Sequence, residues 1–182
     1  NRFVAGASGA IALPLTMLSF QRDLKINNQC AFTAAGFGFN YGSNNYVRLW
    51  GLLRDVEGTQ RKRPTWLGME MANKAIFGDM VQTTQSGLLP TRAIPPANGL
   101  AALTNLPMIQ SFAYRDGFDH SAVLFNLDLT TANEIQLDHA QRPQSKATMY
   151  QFAPPSVNTT NESAQNLSYT TTAITDFANH YV

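Results

Sequence analysis

Histidine and cysteine, two frequent carriers of metal and nucleophilic chemistry, are few in this sequence and do not cluster. The three histidines, His120, His139 and His180, are widely separated and match no metal-ligand spacing. The single cysteine, Cys30, lies in an apolar run and is predicted to be a small buried residue rather than a nucleophile. The glycines at 36 and 38 lack the third glycine of a phosphate-binding loop. We therefore predict no metal site and no cofactor.

The acidic residues offer no evident pair for acid–base catalysis. Asp116 and Asp119 belong to a predicted turn around Gly117, a setting that favours solvent-exposed side chains. Glu70 falls within a predicted helix, where we interpret it as a solubilising residue on the outward face. No catalytic residue is assigned within this sequence.

Composition limits the classes of partner. The chain has 182 residues, enough for one large domain or two small ones, and 14% are charged, against about a quarter in an average protein. Low charge with many Asn, Thr and Ser residues suits a secreted or periplasmic protein that meets neutral polar ligands. The net charge of +1 gives no electrostatic reason to expect nucleic acid or an anionic membrane, and no apolar run reaches a membrane-spanning length. The basic run 61–63 is interpreted as a solvated loop.

The first half of the chain reads as helix, strand, excursion and helix. Apolar spacing predicts a helix over 5–20 that Pro14 should kink or restart. Strands are predicted over 29–39 and 46–53, on either side of a polar loop at 40–45 rich in Gly, Asn and Tyr.

A second helix is predicted to begin at Pro64, because a proline in the first helical turn loses no hydrogen bond and has a suitable φ. Apolar residues at helical spacing follow, and Gly78 is the expected stop. The pattern changes after Gly78 to short strands and turns. The chain thus joins two kinds of architecture near this point.

The remainder is predicted to be an antiparallel β-sandwich, since short strands recur between turns. The predicted strands are 81–84, 109–114, 121–129, 133–137, 147–152 and 167–174. The Pro/Ala/Asn-rich passage 88–107 shows no clear periodicity. The polar segment 154–166 is expected to be an exposed loop, and it contains three glycosylation sequons, at Asn158, Asn161 and Asn166. Such triplets arise by chance in segments rich in Asn and Thr, and they matter only in a eukaryotic secreted protein.

The segment 46–80, YVRLWGLLRDVEGTQRKRPTWLGMEMANKAIFGDM, resembles a recurrent glycosidase pattern. It is similar to the last β/α unit of the (β/α)₈ barrel in retaining clan A glycoside hydrolases, such as the heparanase/β-glucuronidase-like family and its arabinofuranosidase and xylosidase relatives. In those enzymes the last barrel helix often begins with Arg-Pro, and a β-sandwich follows at once. The segment 112–138, FAYRDGFDHSAVLFNLDLTTANEIQLD, is similar to that sandwich.

The resemblance implies an α+β chain in which 1–78 form the C-terminal end of a (β/α)₈ barrel and 79–182 form the β-sandwich. Residues 1–25 would be the seventh barrel helix and 29–39 the eighth strand. The rest of the barrel would then lie in an upstream segment or in a second chain, which would be the partner of this one.

The resemblance also decides where the chemistry is expected. Retaining hydrolysis of a glycosidic bond needs two carboxyl groups about 5 Å apart, and the family places them at the ends of the fourth and seventh strands, outside this sequence. The chain is therefore expected to be part of a glycoside hydrolase without being active alone.

The loop and strand after the eighth barrel strand lie at the reactive face in such enzymes. A sugar has an apolar face of C–H groups and a rim of hydroxyls, to which aromatic rings and Asn or Arg side chains are suited. The resemblance implies a carbohydrate-binding wall made of Asn40, Tyr41, Tyr46, Arg48 and Trp50. Arg48 could also bind a carboxylate-bearing sugar, and core packing stays the alternative for Trp50.

Two other interpretations remain open. The chain could be a non-catalytic carbohydrate-binding or adhesive β-sandwich with an N-terminal helical cap, or a structural accessory domain with no ligand. Glycan binding without hydrolysis would favour the first of these. A pair of catalytic carboxylates in an upstream segment or a second chain would favour the hydrolase.

Overall fold

The chain is a mixture of helices and small antiparallel sheets. The computed structural model describes residues 5–23, 26, 29–30, 34, 37–40, 46–49, 51–54, 59–137 and 146–177, with positions 37–40 and 46–49 described by their backbone. In chain order the elements are α1 (Ser8–Gln21), β1 (Phe37–Asn40), β2 (Tyr46–Leu49), α2 (Pro64–Asn73), β3 (Asp79–Val81), β4 (Thr91–Ile94), β5 (Leu103–Pro107), β6 (Ile109–Asp116), β7 (Asp119–Asn126), β8 (Ala147–Gln151) and β9 (Thr170–Ile174). Neither helix is long and apolar enough to cross a membrane.

Two compact units divide the chain. The first comprises Asn1–Lys74 and Gln144–Phe177, and the second comprises Ala75–Pro143 and Ala178–Val182. The first unit thus takes in the β8–β9 hairpin. The predicted domains, 1–78 and 79–182, stay a prediction.

In the first unit, α1 runs through Pro14 without restarting there. Its buried residues include Ala10, Pro14 and Leu18, which recur every four positions and so share one face. Pro14 has no N–H with which to bond the carbonyl of Ala10, and Gly68 of α2 lies directly against that carbonyl. The predicted helix is confirmed, with its start three residues later than expected.

The second helix, α2, begins at Pro64 as predicted, and Arg63 before it has extended backbone angles. Its buried residues include Pro64, Gly68 and Ala72, which recur every four positions and so share one face. The helix ends at Asn73, before the expected stop at Gly78, whose positive φ of 55° serves a later turn.

Three further segments complete the first unit. Strands β1 and β2 pair antiparallel and are shorter than the predicted runs 29–39 and 46–53. Strands β8 and β9 also pair antiparallel, which confirms the strands predicted within 147–152 and 167–174. The connection between β8 and β9 packs its Leu167 with Ala7 and Leu67 in one buried cluster.

The second unit is built on a three-stranded antiparallel sheet in the order β3-β6-β7. Strands β6 and β7 form the predicted hairpin, whose turn includes Gly117 at a φ of +58°. The rings of Phe112 and Phe125 meet edge to face, with centroids 6.0 Å apart. Val123 and Tyr114 are also buried, so alternate residues of the two strands form the core.

One pair of strands in this unit was not predicted, and one predicted strand is wrong. The passage 88–107 contains the paired strands β4 and β5, which the sequence did not reveal because every residue of β4 is exposed and no alternation results. The predicted strand 133–137 is irregular. The chain bends before this segment, directly after β7. At that bend Asp128 accepts hydrogen bonds from the backbone N–H groups of Thr130 and Thr131.

Candidate functional site

The β1–β2 hairpin contains three of the five residues predicted to bind sugar. Its register pairs Asn40 with Tyr46 and Gly38 with Arg48. Tyr41 and Trp50 lie outside the described residues. Positions 46 and 48 fall on the same face of β2, because alternate positions of a strand share a face, and position 40 falls directly across from 46. The hairpin therefore brings three of the five predicted positions to one face of a two-stranded ladder.

The chain that follows β2 is fixed by backbone pairing with the segment that precedes α2. Leu53 and Lys62 form an antiparallel bridge. The N–H of Arg63 donates to the carbonyl of Leu52 at 3.0 Å, and the N–H of Arg54 donates to the carbonyl of Arg61 at 2.8 Å. Residues 51–54, which begin two positions after β2 ends, are thus tied to the start of α2.

The arginine of the Arg-Pro pair is buried and makes the central contacts of this region. Arg63 Nε and Nη2 donate to the two carboxylate oxygens of Glu162 at 2.6 and 3.0 Å, and Nη1 donates to the carbonyl of Gly51 at 2.9 Å. The Arg63 side chain is 3% exposed and that of Glu162 is 35% exposed. This Arg63–Glu162 junction is a bidentate, charge-assisted pair. The interpretation of Arg63 as part of a solvated loop is wrong.

Two more arginines bond the backbone beside Glu162. Arg61 Nη1 donates to the carbonyls of Glu162 and Asn161 at 2.6 and 3.2 Å, and Arg54 Nε donates to the Glu162 carbonyl at 3.3 Å. Three arginine side chains, one before and two after residues 55–60, thus converge on two residues from the β8–β9 connection. That connection is thereby attached to the chain on both sides of residues 55–60.

Asn161 also attaches the β8–β9 connection to the segment before α2, through its own side chain. It is 0% exposed, and its Nδ2 donates to the carbonyls of Lys62 and Leu167 at 2.9 and 3.0 Å. Its Oδ1 accepts from the N–H of Leu167 at 2.8 Å. The expectation of an exposed loop over 154–166 is therefore wrong at Asn161, because backbone groups need these partners once they are buried.

Glu70 forms a second polar cluster on the outer side of α2. Its carboxylate accepts from Lys62 Nζ at 2.7 Å and from the Tyr169 hydroxyl at 3.3 Å. The hydrogen bond from Lys62 lowers the pKa of Glu70, while partial burial opposes that shift. A general acid for glycoside hydrolysis needs a raised pKa. Glu70 therefore acts as a link between α2 and β9 and is unsuited to protonate a leaving group.

Three further carboxylates lie at or near chain turns in the second unit. Asp116 and Asp119 face each other across the β6–β7 hairpin, and both are exposed. Hydrogen bonds from the backbone N–H and hydroxyl of Thr130 lower the pKa of Asp128. These hydrogen bonds stabilise the charged form of Asp128.

The histidine and cysteine residues that the structure describes belong to no visible metal site. No group of three His, Cys, Asp or Glu side chains there is placed to hold a metal ion. Cys30 is exposed, so its predicted burial is wrong. The strand that was expected to enclose it begins only at Phe37. His120 is exposed in the β6–β7 hairpin, and His139 and His180 lie outside the described residues.

Two clefts lie elsewhere, one in each unit. One of about 240 Å³ is lined by Ile94, Leu106 and Met108 with Arg92 at its edge. The other, of about 350 Å³, lies beside the ends of β8 and β9 and includes Lys146. Neither is lined by a carboxylate, so neither offers the pair of groups that hydrolysis requires.

The sequence did not reveal the contributions of Glu162 and Asn161. Glu162 lies 99 residues from Arg63, and Asn161 lies 99 residues from Lys62. Their surroundings are polar and lack periodicity. The Arg-Pro pair was the available signal. A charged residue placed directly before the buried start of a helix requires a counter-charge, which had to come from a distant part of the chain.

Comparison with known proteins adds no relative. No protein-family model matches the chain, and neither a curated protein nor a solved structure matches it. The resemblance to clan A glycoside hydrolases therefore stays a prediction from the sequence.

Proposed function

We propose that the chain is the C-terminal portion of a retaining glycoside hydrolase. In this proposal the first unit includes the last elements of a (β/α)₈ barrel, and the strands after α2 belong to a β-sandwich. The chain supplies one wall of a carbohydrate-binding site, formed by the β1–β2 hairpin. The catalytic carboxylates come from an upstream segment or a second chain, and the whole enzyme works in a secreted or periplasmic setting.

The observation that carries the proposal is the register of the hairpin. An amide residue, Asn40, pairs with an aromatic one, Tyr46, and Arg48 follows two positions later on the same face. A strand face that carries both an aromatic residue and residues with hydrogen-bonding groups suits a sugar, whose C–H face and hydroxyl rim need both. The Arg-Pro start of α2, which the resemblance singled out, supports the same proposal because Arg63 holds the chain just beyond β2.

The surroundings of the carboxylates support placing the chemistry outside this chain. Glu162 is engaged by Arg63, and Glu70 has a lowered pKa. Glu70 therefore lacks the raised pKa that the general acid of a retaining enzyme needs, and Glu162 is held in a structural contact with a buried arginine.

The alternative function is a carbohydrate-binding or adhesive module without catalysis. The same hairpin favours it, because a sugar-binding wall needs no carboxylate pair. The two proposals differ in whether material containing this sequence forms a covalent glycosyl–enzyme intermediate.

Mechanism-based labelling tests the proposal. Native protein containing this sequence is captured with an antibody to the chain and treated with 2-fluoro glycosides of glucuronic acid, xylose and arabinofuranose, which trap the nucleophile of retaining enzymes. We expect a labelled carboxylate on a peptide outside the 182 residues. An excess of the unlabelled sugar should protect it.

A label on a carboxylate within the 182 residues would contradict the placement of the chemistry. If no reagent labels captured material that nevertheless binds the same sugars, the binding module replaces the hydrolase. The isolated chain serves as the control, and we expect it to bind sugar without taking up label.

A further inference from the structure

The three sequons of the β8–β9 connection differ sharply in how the fold presents them. Asn158 is exposed and lies in a tight turn, in which the N–H of Thr159 donates to the carbonyl of Ser156 at 3.1 Å. The N–H of Asn158 itself donates to the Ser156 hydroxyl at 3.2 Å. The side-chain amide therefore sits at the tip of a turn, where a bulky substituent meets solvent.

Asn161, three residues later, is closed to any substituent. It is 0% exposed, and both of its Nδ2 protons are engaged, one by the carbonyl of Lys62 and one by that of Leu167. An N-linked sugar replaces one of these protons and occupies the space beyond it. The folded chain has neither the spare proton nor the room.

We propose that Asn158 is an acceptor for an N-linked oligosaccharide and that the fold excludes Asn161 from that role. The donor is a polyprenyl-diphosphate-linked oligosaccharide. The amide nitrogen bonds to C1 of the first sugar, the bond from C1 to the diphosphate oxygen breaks, and the amide loses one proton. The polyprenyl diphosphate leaves with the bonding electrons. This inference rests on secretion of the protein by a eukaryotic cell, and it does not depend on the proposed hydrolase activity.

Folding supplies the selection between the two sites. Transfer occurs on the extending chain, when both sequons are accessible. A chain modified at Asn161 cannot form its bonds to residues 62 and 167, and the Arg63–Glu162 junction next to them loses its support. Such chains should be retained by the secretory quality control, whereas those modified at Asn158 should fold and be secreted.

Secretion of the full chain from a eukaryotic host tests the proposal. All variants carry Ser168→Ala, which removes the sequon of Asn166, because that residue is exposed as well. Two variants are compared with this background. Asn158→Gln removes the proposed acceptor, and Ser163→Ala removes the Asn161 sequon while leaving the buried asparagine in place. Intact mass and site-resolved fragmentation then count the glycans.

We expect one glycan, at Asn158, on the secreted background protein and on the Ser163→Ala variant. The Asn158→Gln variant should be secreted without a glycan. A glycan at Asn161 in secreted protein, or an unmodified Asn158, would overturn the inference. Chain retained in the cells is analysed in the same way, so an unmodified Asn158 there counts against the proposal even if secretion is poor.

Discussion

Replacing Glu162 with alanine removes the counter-charge of a buried arginine. Arg63 loses two hydrogen bonds, of 2.6 and 3.0 Å, while other contacts remain, among them the hydrogen bond to the carbonyl of Gly51. Its side chain is 3% exposed, so water has little access to the guanidinium. The variant therefore leaves a positive charge partly uncompensated inside the first unit.

The size of the effect follows from these contacts. Each hydrogen bond to a charged group contributes about 1.5–3 kcal/mol, and breaking a fully buried ion pair from one side costs about 3–5 kcal/mol. Glu162 is 35% exposed, so water can enter after its removal and the cost falls toward the lower end. We expect Glu162→Ala to lower the free energy of unfolding by about 3 kcal/mol. Glu134, an exposed carboxylate, supplies the matched control, and Glu134→Ala should stay within about 0.5 kcal/mol of the parent.

Urea unfolding followed by circular dichroism measures this difference, and amide hydrogen exchange locates it. The amides of Arg54 and Arg63, which bond to the carbonyls of Arg61 and Leu52, should exchange faster in Glu162→Ala. A double-mutant cycle with Arg63→Met measures the interaction energy between the two side chains, apart from what each contributes alone. We expect this coupling energy to be at least about 1 kcal/mol. If Glu162→Ala unfolds like the Glu134→Ala control and the two amides keep their protection, the junction is not the attachment described above.

Three further perturbations have defined outcomes. Gly68→Ala should lower the free energy of unfolding by about 2 kcal/mol or more, despite the better helix propensity of alanine. The added Cβ would lie 2.8 Å from Ala10 Cα and closer still to the Ala10 carbonyl oxygen. Thermal unfolding measures the loss. Asn161→Ala should cost about 2–4 kcal/mol in urea unfolding, since it removes three hydrogen bonds from a fully buried site. Glu70, with its pKa lowered from an ordinary value of 4.5, stabilises the fold above that pH and loses the contribution as the pH falls through its folded-state pKa. The stability difference between the parent and Glu70→Gln should therefore shrink as the pH falls below about 4.5, in denaturant titrations at several pH values.

The two alanine substitutions each have a matched control. Asn73→Ala, at the exposed end of α2, is the control for Gly68→Ala and tests whether alanine in that helix lowers stability by itself. Asn158→Ala is the corresponding control for Asn161→Ala in the β8–β9 connection. Both should change stability by less than about 0.5 kcal/mol. A Gly68→Ala protein as stable as the Asn73→Ala protein would refute the close helix contact. A difference for Glu70→Gln that stays constant across the acidic range would remove its link to Lys62.

Local signals in the sequence predicted the elements that depend on local chemistry. Pro64 marked the start of α2 because its ring fixes φ where a helix needs no N–H. The turn at Gly117 and the apolar alternation through Val123 and Phe125 predicted the β6–β7 hairpin. The exposed pair β4–β5 was missed, since a strand with no buried face leaves no alternation in the sequence.

Long-range polar partners could not be predicted in the same way. Arg63 and Glu162 are separated by 99 residues, and neither neighbourhood indicates the other. For the candidate site, the position of the residues and their role must likewise be considered separately. The sequence singled out Asn40, Tyr46 and Arg48, and the register of the hairpin places these positions together, but their role with a sugar depends on chemistry that pairing alone does not determine.

The central claim is that the face of the β1–β2 hairpin binds sugar, and chemical-shift mapping tests it most directly. The isotope-labelled chain is titrated with phenyl glycosides of glucuronic acid, xylose and arabinofuranose, and the same titration is repeated on Tyr46→Ala and Arg48→Gln. Phe118→Ala, which removes an exposed ring in the second unit, is the control. We expect the largest shifts in the backbone amides of positions 37–49, weaker binding in both hairpin variants and unchanged binding in the control. Shifts confined to other parts of the chain, or equal affinity in all four proteins, would contradict the account.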